Sequence, residues 1–198
     1  MNATIDYYFA PQSPWTYFGH ERFTAIAKAA HAAVRVLPVD FGQIFPISGG
    51  LPLPKRAPQR QAYRLVELAR FREALNLPMH VQPKFFPVSS DDAARLIIAV
   101  DLNDGTDAAM RISSAVFKAV WEQELDIASA DTLAVLLTQC GLAANRLELS
   151  RSQPVQERFQ ANTHAAIAAN VFGAPSYVVN GEIFWGQDRL EFLQKRLA

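Results

Sequence analysis

Cysteine is nearly absent from this chain of 198 residues, with Cys140 standing alone. One thiol can neither close an intramolecular disulfide nor supply a dithiol pair for redox exchange, so a disulfide framework and a dithiol oxidoreductase are excluded. The four histidines, His20, His31, His80 and His164, show no paired ligand spacing, and no metal site is expected. An excess of either charge is missing too. Nineteen basic side chains face nineteen acidic ones, which argues against a general electrostatic nucleic-acid binder and leaves any anionic ligand to local positive groups. No apolar run reaches membrane-spanning length, so no membrane partner is expected. No phosphate-binding loop, dinucleotide fingerprint or G-x-S-x-G elbow occurs, and there is no internal repeat or low-complexity segment. The first residues run into a strand pattern without the basic segment and apolar core of a leader, and Arg196-Leu197-Ala198 is not a peroxisomal tail. A cytoplasmic protein is the expectation.

What is present is half hydrophobic, enough for one sizeable core with an inserted subdomain. Ile5 to Phe9 reads as a strand, Pro14 to Ala30 as a helix and Val34 to Val39 as a second strand, the βαβ pattern of parallel pairing. A Pro- and Gly-rich stretch, Phe45 to Pro54, is expected to interrupt regular structure. Helical spacing then recurs through Gln59–Ala74, Asp91–Leu102, Asp107–Gln123, Asp131–Cys140, Leu142–Leu149 and Pro154–Asn170. Ser176–Val179 and Ile183–Trp185 flank Asn180-Gly181, a strong hairpin signal, and a last helix is expected from about Asp188 to Leu197. The expected class is α/β, a thioredoxin-like fold with an all-helical insertion between its βαβ and ββα halves. Its discontinuous domain would comprise residues 1–45 and 171–198, and the insertion residues 46–170.

The first chemical signal is Ser13-Pro14-Trp15-Thr16, which follows the first strand where a thioredoxin-like chain would carry Cys-x-x-Cys. Serine is a favoured N-cap and proline a favoured first helical residue, so one reading is a helix cap and nothing more. The other is chemical. A helix start presents unpaired N–H groups and partial positive charge, which together with a serine hydroxyl favour a bound thiolate over a thiol. A protein with this site and no thiol of its own would borrow its sulfur from a soluble thiol such as glutathione.

Gly173-Ala174-Pro175-Ser176 precedes the return strand. A cis Ala174-Pro175 bond would leave the Ala174 backbone groups unpaired and open to a peptide ligand, whereas a trans proline would simply end the preceding segment. Trp185-Gly186-Gln187-Asp188-Arg189 places an amide and a carboxylate at the last helix start, where an amino-acid head group could bind or where Asp188 is only a cap.

Taken together, Phe9–Tyr17, Gly49-Gly50, Asn162–Ile167, Val171–Pro175 and Phe184–Leu190 closely resemble the 2-hydroxychromene-2-carboxylate isomerases, relatives of kappa-class glutathione transferases and, more distantly, of bacterial disulfide oxidases. The resemblance implies a usually dimeric protein that binds glutathione between the sheet and the insertion. Ser13 matches the thiol-activating serine, Ala174 the residue whose backbone pairs with the cysteinyl unit, and Pro175 the cis proline. Trp185, Gly186, Gln187 and Asp188 match the segment holding the γ-glutamyl end, and Lys55 or Arg60 lies near basic positions of relatives.

Two departures stand out. Relatives often carry Gly-Asn where this chain has Gly49-Gly50, and a lysine near Phe45-Pro46 has no local replacement. A substrate carboxylate would then fall to Lys55, Arg56, Arg60 or Lys84, with Trp15, Tyr17, Phe45, Phe85 and Phe86 as candidate walls for an aromatic ring. The expected function is a glutathione-dependent isomerase of an unsaturated aromatic keto acid or similar electrophile, acting as a homodimer by reversible thiolate addition. A kappa-like transferase or peroxidase and a non-catalytic glutathione binder are the alternatives.

Overall fold

The computed structural model describes residues 3–198. Strand β1 (Thr4–Phe9), helix α1 (Pro14–Ala29) and strand β2 (Ala33–Pro38) form the βαβ unit, with β2 parallel to β1. Helices α2 (Phe41–Ser48), α3 (Pro58–Ala74), α4 (Asp91–Asp104), α5 (Thr106–Trp121), α6 (Ala130–Gln139), α7 (Arg146–Leu149) and α8 (Gln153–Ala168) follow. The chain returns as β3 (Ser176–Val179) and β4 (Glu182–Trp185) and ends in α9 (Leu190–Leu197). Among the described residues the strands form one sheet in the order β2-β1-β3-β4, with β3 antiparallel to both neighbours. This is the α/β thioredoxin-like arrangement, with the run of helices between its two halves.

Strand alternation decides which side chains meet which layer, because successive residues point to opposite faces. Ile5, Tyr7 and Phe9 of β1 join Tyr177 and Val179 of β3 on one face, under Phe18 and Phe23 of α1 and Leu190 and Leu193 of α9. Tyr8, Leu37 and Val178 point to the other face and meet Phe41 and Ile44 of α2 and Ala166 of α8. Helices α4 and α5 extend the first core with Leu96, Ile97, Ile112, Val116 and Trp121. At its centre the Tyr7 ring lies 4.6 Å from both Phe9 and Phe23 and 5.4 Å from Tyr177.

Most helix bounds agree with the sequence reading to within a few residues, and two stretches differ in kind. The Pro- and Gly-rich stretch is helical in its first part. The Asp40 carboxylate caps α2 by accepting from the Gly42 N–H at 2.7 Å, and burial of Phe41 and Ile44 outweighs Pro46 inside the helix. The expected Leu142–Leu149 helix shrinks to the single turn α7. Gly141, at φ 67°, ends α6 in a Schellman motif, with Leu142 N–H bonded to the Leu137 carbonyl and Gly141 N–H to that of Thr138, and the chain leaves the helix axis there. The last helix opens at Leu190, after a 3-10 turn at Gln187–Arg189.

His20, on α1, is buried against this core. Its Nδ1 lies 3.1 Å from the Tyr7 hydroxyl and its Nε2 3.0 Å from the Met110 carbonyl, which suits a neutral ring that accepts from Tyr7 and donates to Met110. Burial pushes the imidazole down to about 4. Between pH 6.5 and 4 the unfolded chain therefore takes up a proton that the folded chain refuses, so stability falls as pH falls through this window. From pH 7 to 5 the loss through His20 is about 2 kcal/mol. Urea unfolding at both pH values is expected to show a smaller acid loss in His20→Gln, and an equal loss would remove His20 as its source.

Candidate active site

After β1 the chain turns sharply, with Ser13 N–H donating to the Ala10 carbonyl at 2.9 Å. Ser13 stands in extended backbone conformation at the N-cap of α1, and Pro14 follows as the first helical residue. The Ser13 Oγ accepts from Thr16 N–H at 3.3 Å. With a lone pair engaged in this way, the hydroxyl keeps its proton available for an outside acceptor. No acidic side chain sits in the first turn of α1 to oppose an arriving anion. The Trp15 amide, in the first turn, has no intrahelical acceptor to find.

Ser13 lines a cleft of about 850 Å³. Gln12, Pro14 and Trp15 share its wall, and the segment before β3 contributes Phe172, Gly173 and Ala174. The Ala174-Pro175 peptide is cis, and neither the Ala174 N–H nor its carbonyl takes a hydrogen-bond partner among the described residues. Trp185 reaches the same cleft from the end of β4, its ring tilted against that of Phe172 with centroids 4.9 Å apart. Gly173 makes this possible, because a Cβ there would lie 2.4 Å from Trp185 Nε1. A similar contact occurs beyond α2. A Cβ on Gly50 would lie 2.3 Å from the Phe45 ring, so an aromatic face fills the space into which a side chain at position 50 would project.

The charged groups of the cleft fall into two sets. Asp40 is engaged as the cap of α2 and bonds Gln43 at 2.9 Å, while the Asp91 carboxyl is pushed up by burial and by the nearby Asp40. Arg56, Arg60 and Arg64 form the basic set, and none of them has an ion-pair partner among the described residues. The Arg56 guanidinium donates to the Leu51 carbonyl at 2.8 Å and is pushed down by burial and by Arg60.

Of the residues singled out in the sequence, Ser13, Trp15, Phe45, Arg56, Arg60, Phe86, Ala174 and Trp185 line this one cleft. Pro175, Gly186, Gln187 and Asp188 do not. Gln187 is 1% exposed, and its Oε1 accepts from Arg22 at 2.7 Å, tying the 3-10 turn to α1. Asp188 is exposed and pairs with Arg189. Lys55, Lys84 and Phe85 also lie outside the lining, and Lys84 rests over the Phe85 ring at 5.0 Å. Sequence reasoning missed Arg64, Asp40 and Asp91. Arg64 could have been noticed as a cation four residues before Leu68 on the buried stripe of α3, a place where an unpaired arginine is unusual.

The fold and the cleft define a thioredoxin-fold protein in which a serine caps the first helix at the cleft wall. The chain belongs to the family described as DSBA-like thioredoxin domain, which matches residues 4–198. Within that family it is similar to 2-hydroxychromene-2-carboxylate isomerase of Sphingobium xenophagum, 27% identical over 199 residues that span 100% of this chain and 99% of that protein. It is also similar to the isomerase of the same name from Pseudomonas putida, at 25% identity over 98% of this chain and 94% of the other. Glutathione S-transferase kappa 1 of Caenorhabditis elegans is 21% identical across 96% of this chain and 88% of its own length. Among solved structures, a 2-hydroxychromene-2-carboxylate isomerase superposes with a TM-score of 0.81 at 26% identity, covering 98% of this chain and 94% of its own. The cytosolic disulfide reductase DsbM from Pseudomonas aeruginosa, solved with GSH, shares the fold at a TM-score of 0.69 and 17% identity, with 98% of both chains covered. No helix among the described residues is long and apolar enough to cross a membrane.

Proposed function

We propose that this protein is a glutathione-dependent isomerase of the 2-hydroxychromene-2-carboxylate isomerase type, working as a homodimer on an unsaturated aromatic keto acid or similar electrophile. One observation carries the reading. The Ser13 hydroxyl, with its proton free to donate, shares a cleft with the unpaired backbone N–H and carbonyl of Ala174. These groups fit a thiol-bearing peptide: Ala174 offers a strand-like pair of hydrogen bonds to its backbone, and Ser13 a donor to its sulfur. Trp185 offers an apolar surface beside them. The similarity to named isomerases over the whole chain supports the same reading.

Bound there, glutathione supplies a thiolate that adds reversibly to an electron-poor carbon, making a fixed double bond rotatable until the thiolate leaves unchanged. The chain's part is electrostatic and steric. Ser13 and the start of α1 hold negative charge on sulfur, Ala174 orients the peptide, and Trp15, Phe45 and Phe86 bound an apolar space for a ring.

The test is isomerisation of 2-hydroxychromene-2-carboxylate by the purified protein, followed by absorbance with and without glutathione. Turnover that requires the thiol and leaves its concentration constant supports the proposal. Thiol consumed stoichiometrically with an aryl halide, with no isomerisation, would move the assignment to a kappa-like transferase, a reading that the kappa relative favours. Binding without turnover of either substrate would leave a glutathione binder. Light scattering at twice the chain mass would support the homodimer.

A further inference from the structure

Arg64 is the least satisfied charged group of the cleft. The residue is 9% exposed, no hydrogen bond or ion pair engages its guanidinium among the described residues, and Nη2 is shut off from solvent. It is packed on aromatic faces instead, with its guanidinium carbon 5.0 Å from the Phe86 ring centre and 6.0 Å from that of Trp121. Those two rings touch at 4.8 Å, and Trp121 Nε1 is a second buried donor without an acceptor. Aromatic faces offset only part of the desolvation of a guanidinium, and a buried cation ordinarily has a carboxylate beside it. The nearby charges make matters worse: burial and the field of Arg56 hold Arg64 down at about 10. The carboxylates of the cleft do not relieve it, since Asp40 caps α2 and Asp91 makes no pair with any of the three arginines.

We propose that Arg64, backed by Arg56 and Arg60, is the pole of the cleft that takes the carboxylate of the aromatic substrate, with Phe86 as the surface beside the ring, and that it sets the preference for acids. The proposal rests on the reading that this cleft is the substrate site. Three features agree with it. The guanidinium is held in place by the two rings, so little side-chain freedom is lost on binding. It borders the same cleft as Ser13, so one molecule could reach both. It also provides a cation to a cleft whose wall between Phe45 and Pro54 carries no basic side chain. A glutathione carboxylate presents the same chemistry, and the experiment separates the two sources.

Titration calorimetry with cinnamate and cinnamamide reads the carboxylate without any turnover, and glutathione and its glycyl amide are titrated in parallel. Wild-type protein is expected to prefer cinnamate by roughly tenfold or more, the range of a hydrogen bond to a charged partner. Arg64→Met should abolish that preference, Arg64→Lys should restore part of it, and glutathione affinity should stay within about twofold. Equal binding of the acid and the amide by wild type, or an acid preference that survives Arg64→Met, would overturn the proposal. Loss of glutathione affinity in Arg64→Met with cinnamate unaffected would also overturn it, assigning the pole to the cofactor. Thermal unfolding adds a readout independent of ligand. Removing an unpaired buried cation should leave Tm unchanged or higher, whereas a large fall would make Arg64 a structural residue. Because cinnamate binding needs no thiol, failure of glutathione-dependent turnover would count against the proposed activity and not against the Arg64 pole.

Discussion

Replacing Ser13 by alanine is expected to lower glutathione-dependent kcat/KM by roughly 10- to 100-fold while leaving the protein folded. In the proposed mechanism the nucleophile is a thiolate, and a free thiol, with a pKa of about 8.5, is only a few per cent ionised at neutral pH. A hydrogen bond to a charged acceptor is worth about 1.5–3 kcal/mol, which sets the size of the effect. Ser13 is placed to give one, since its Oγ takes the Thr16 N–H and keeps the hydroxyl proton for the sulfur. The pH profile carries the sign of the argument. Donation to the thiolate lowers the thiol pKa, so kcat/KM rises with pH along the thiolate fraction, and the alanine variant should move that midpoint upward by about one unit. Loss of the N-cap costs about 1 kcal/mol, so circular dichroism should show an intact fold with a slightly lower Tm. Ser13→Thr retains both hydroxyl and cap and should keep most of the rate. Unchanged kcat/KM and an unshifted profile in Ser13→Ala would remove Ser13 from the chemistry.

Phe23→Ala should produce the largest loss of stability, about 3–5 kcal/mol. Phe23 is fully buried, with its ring 4.6 Å from both Tyr7 and Tyr177, where α1 meets the central strands. Truncation removes the apolar contact and leaves a cavity that the flanking rings, held in the sheet, cannot close. For a chain of this size the expected fall in Tm is about 10 °C. Phe192→Ala is the control, because Phe192 is 56% exposed on α9 and should change stability by no more than about 0.5 kcal/mol. Comparable losses in the two variants would mean that the joint between α1 and the sheet is not where this core is tightest.

How much of this was legible in the chain depended on how local the signal is. β1 and β3 alternate or run apolar between clear breakers, and Ser13-Pro14 marks a helix start through the chemistry of two adjacent residues, so these elements lay where expected. The Asn180-Gly181 hairpin was legible for the same reason. Helix α2 was not. Pro46, Gly49 and Gly50 argue locally against it, and it forms because Asp40 caps it and because Phe41 and Ile44 find α8 and the sheet, partners distant in sequence. The position of Gln187 outside the cleft lining was not legible, for the converse reason. Its place in a polar segment gave no sign that its amide would turn inward to Arg22.

The sequence by itself narrowed the chemistry: one cysteine removes dithiol exchange, balanced charge removes a general polyanion site, and a serine at a helix start puts a hydroxyl where the proposed function needs a donor to sulfur. It also carried the family resemblance, because the residues from Val171 to Leu190 are contiguous. Only the tertiary structure decided which cations matter. Lys55, Arg56, Arg60 and Arg64 look alike along the chain, yet Lys55, at the end of the short turn before α3, lies outside the cleft lining, while packing on Phe86 and Trp121 leaves Arg64 buried at the cleft's edge without a counter-ion. The free energy of a charge depends on what surrounds it, and those surroundings come from residues 22 to 57 positions away in sequence.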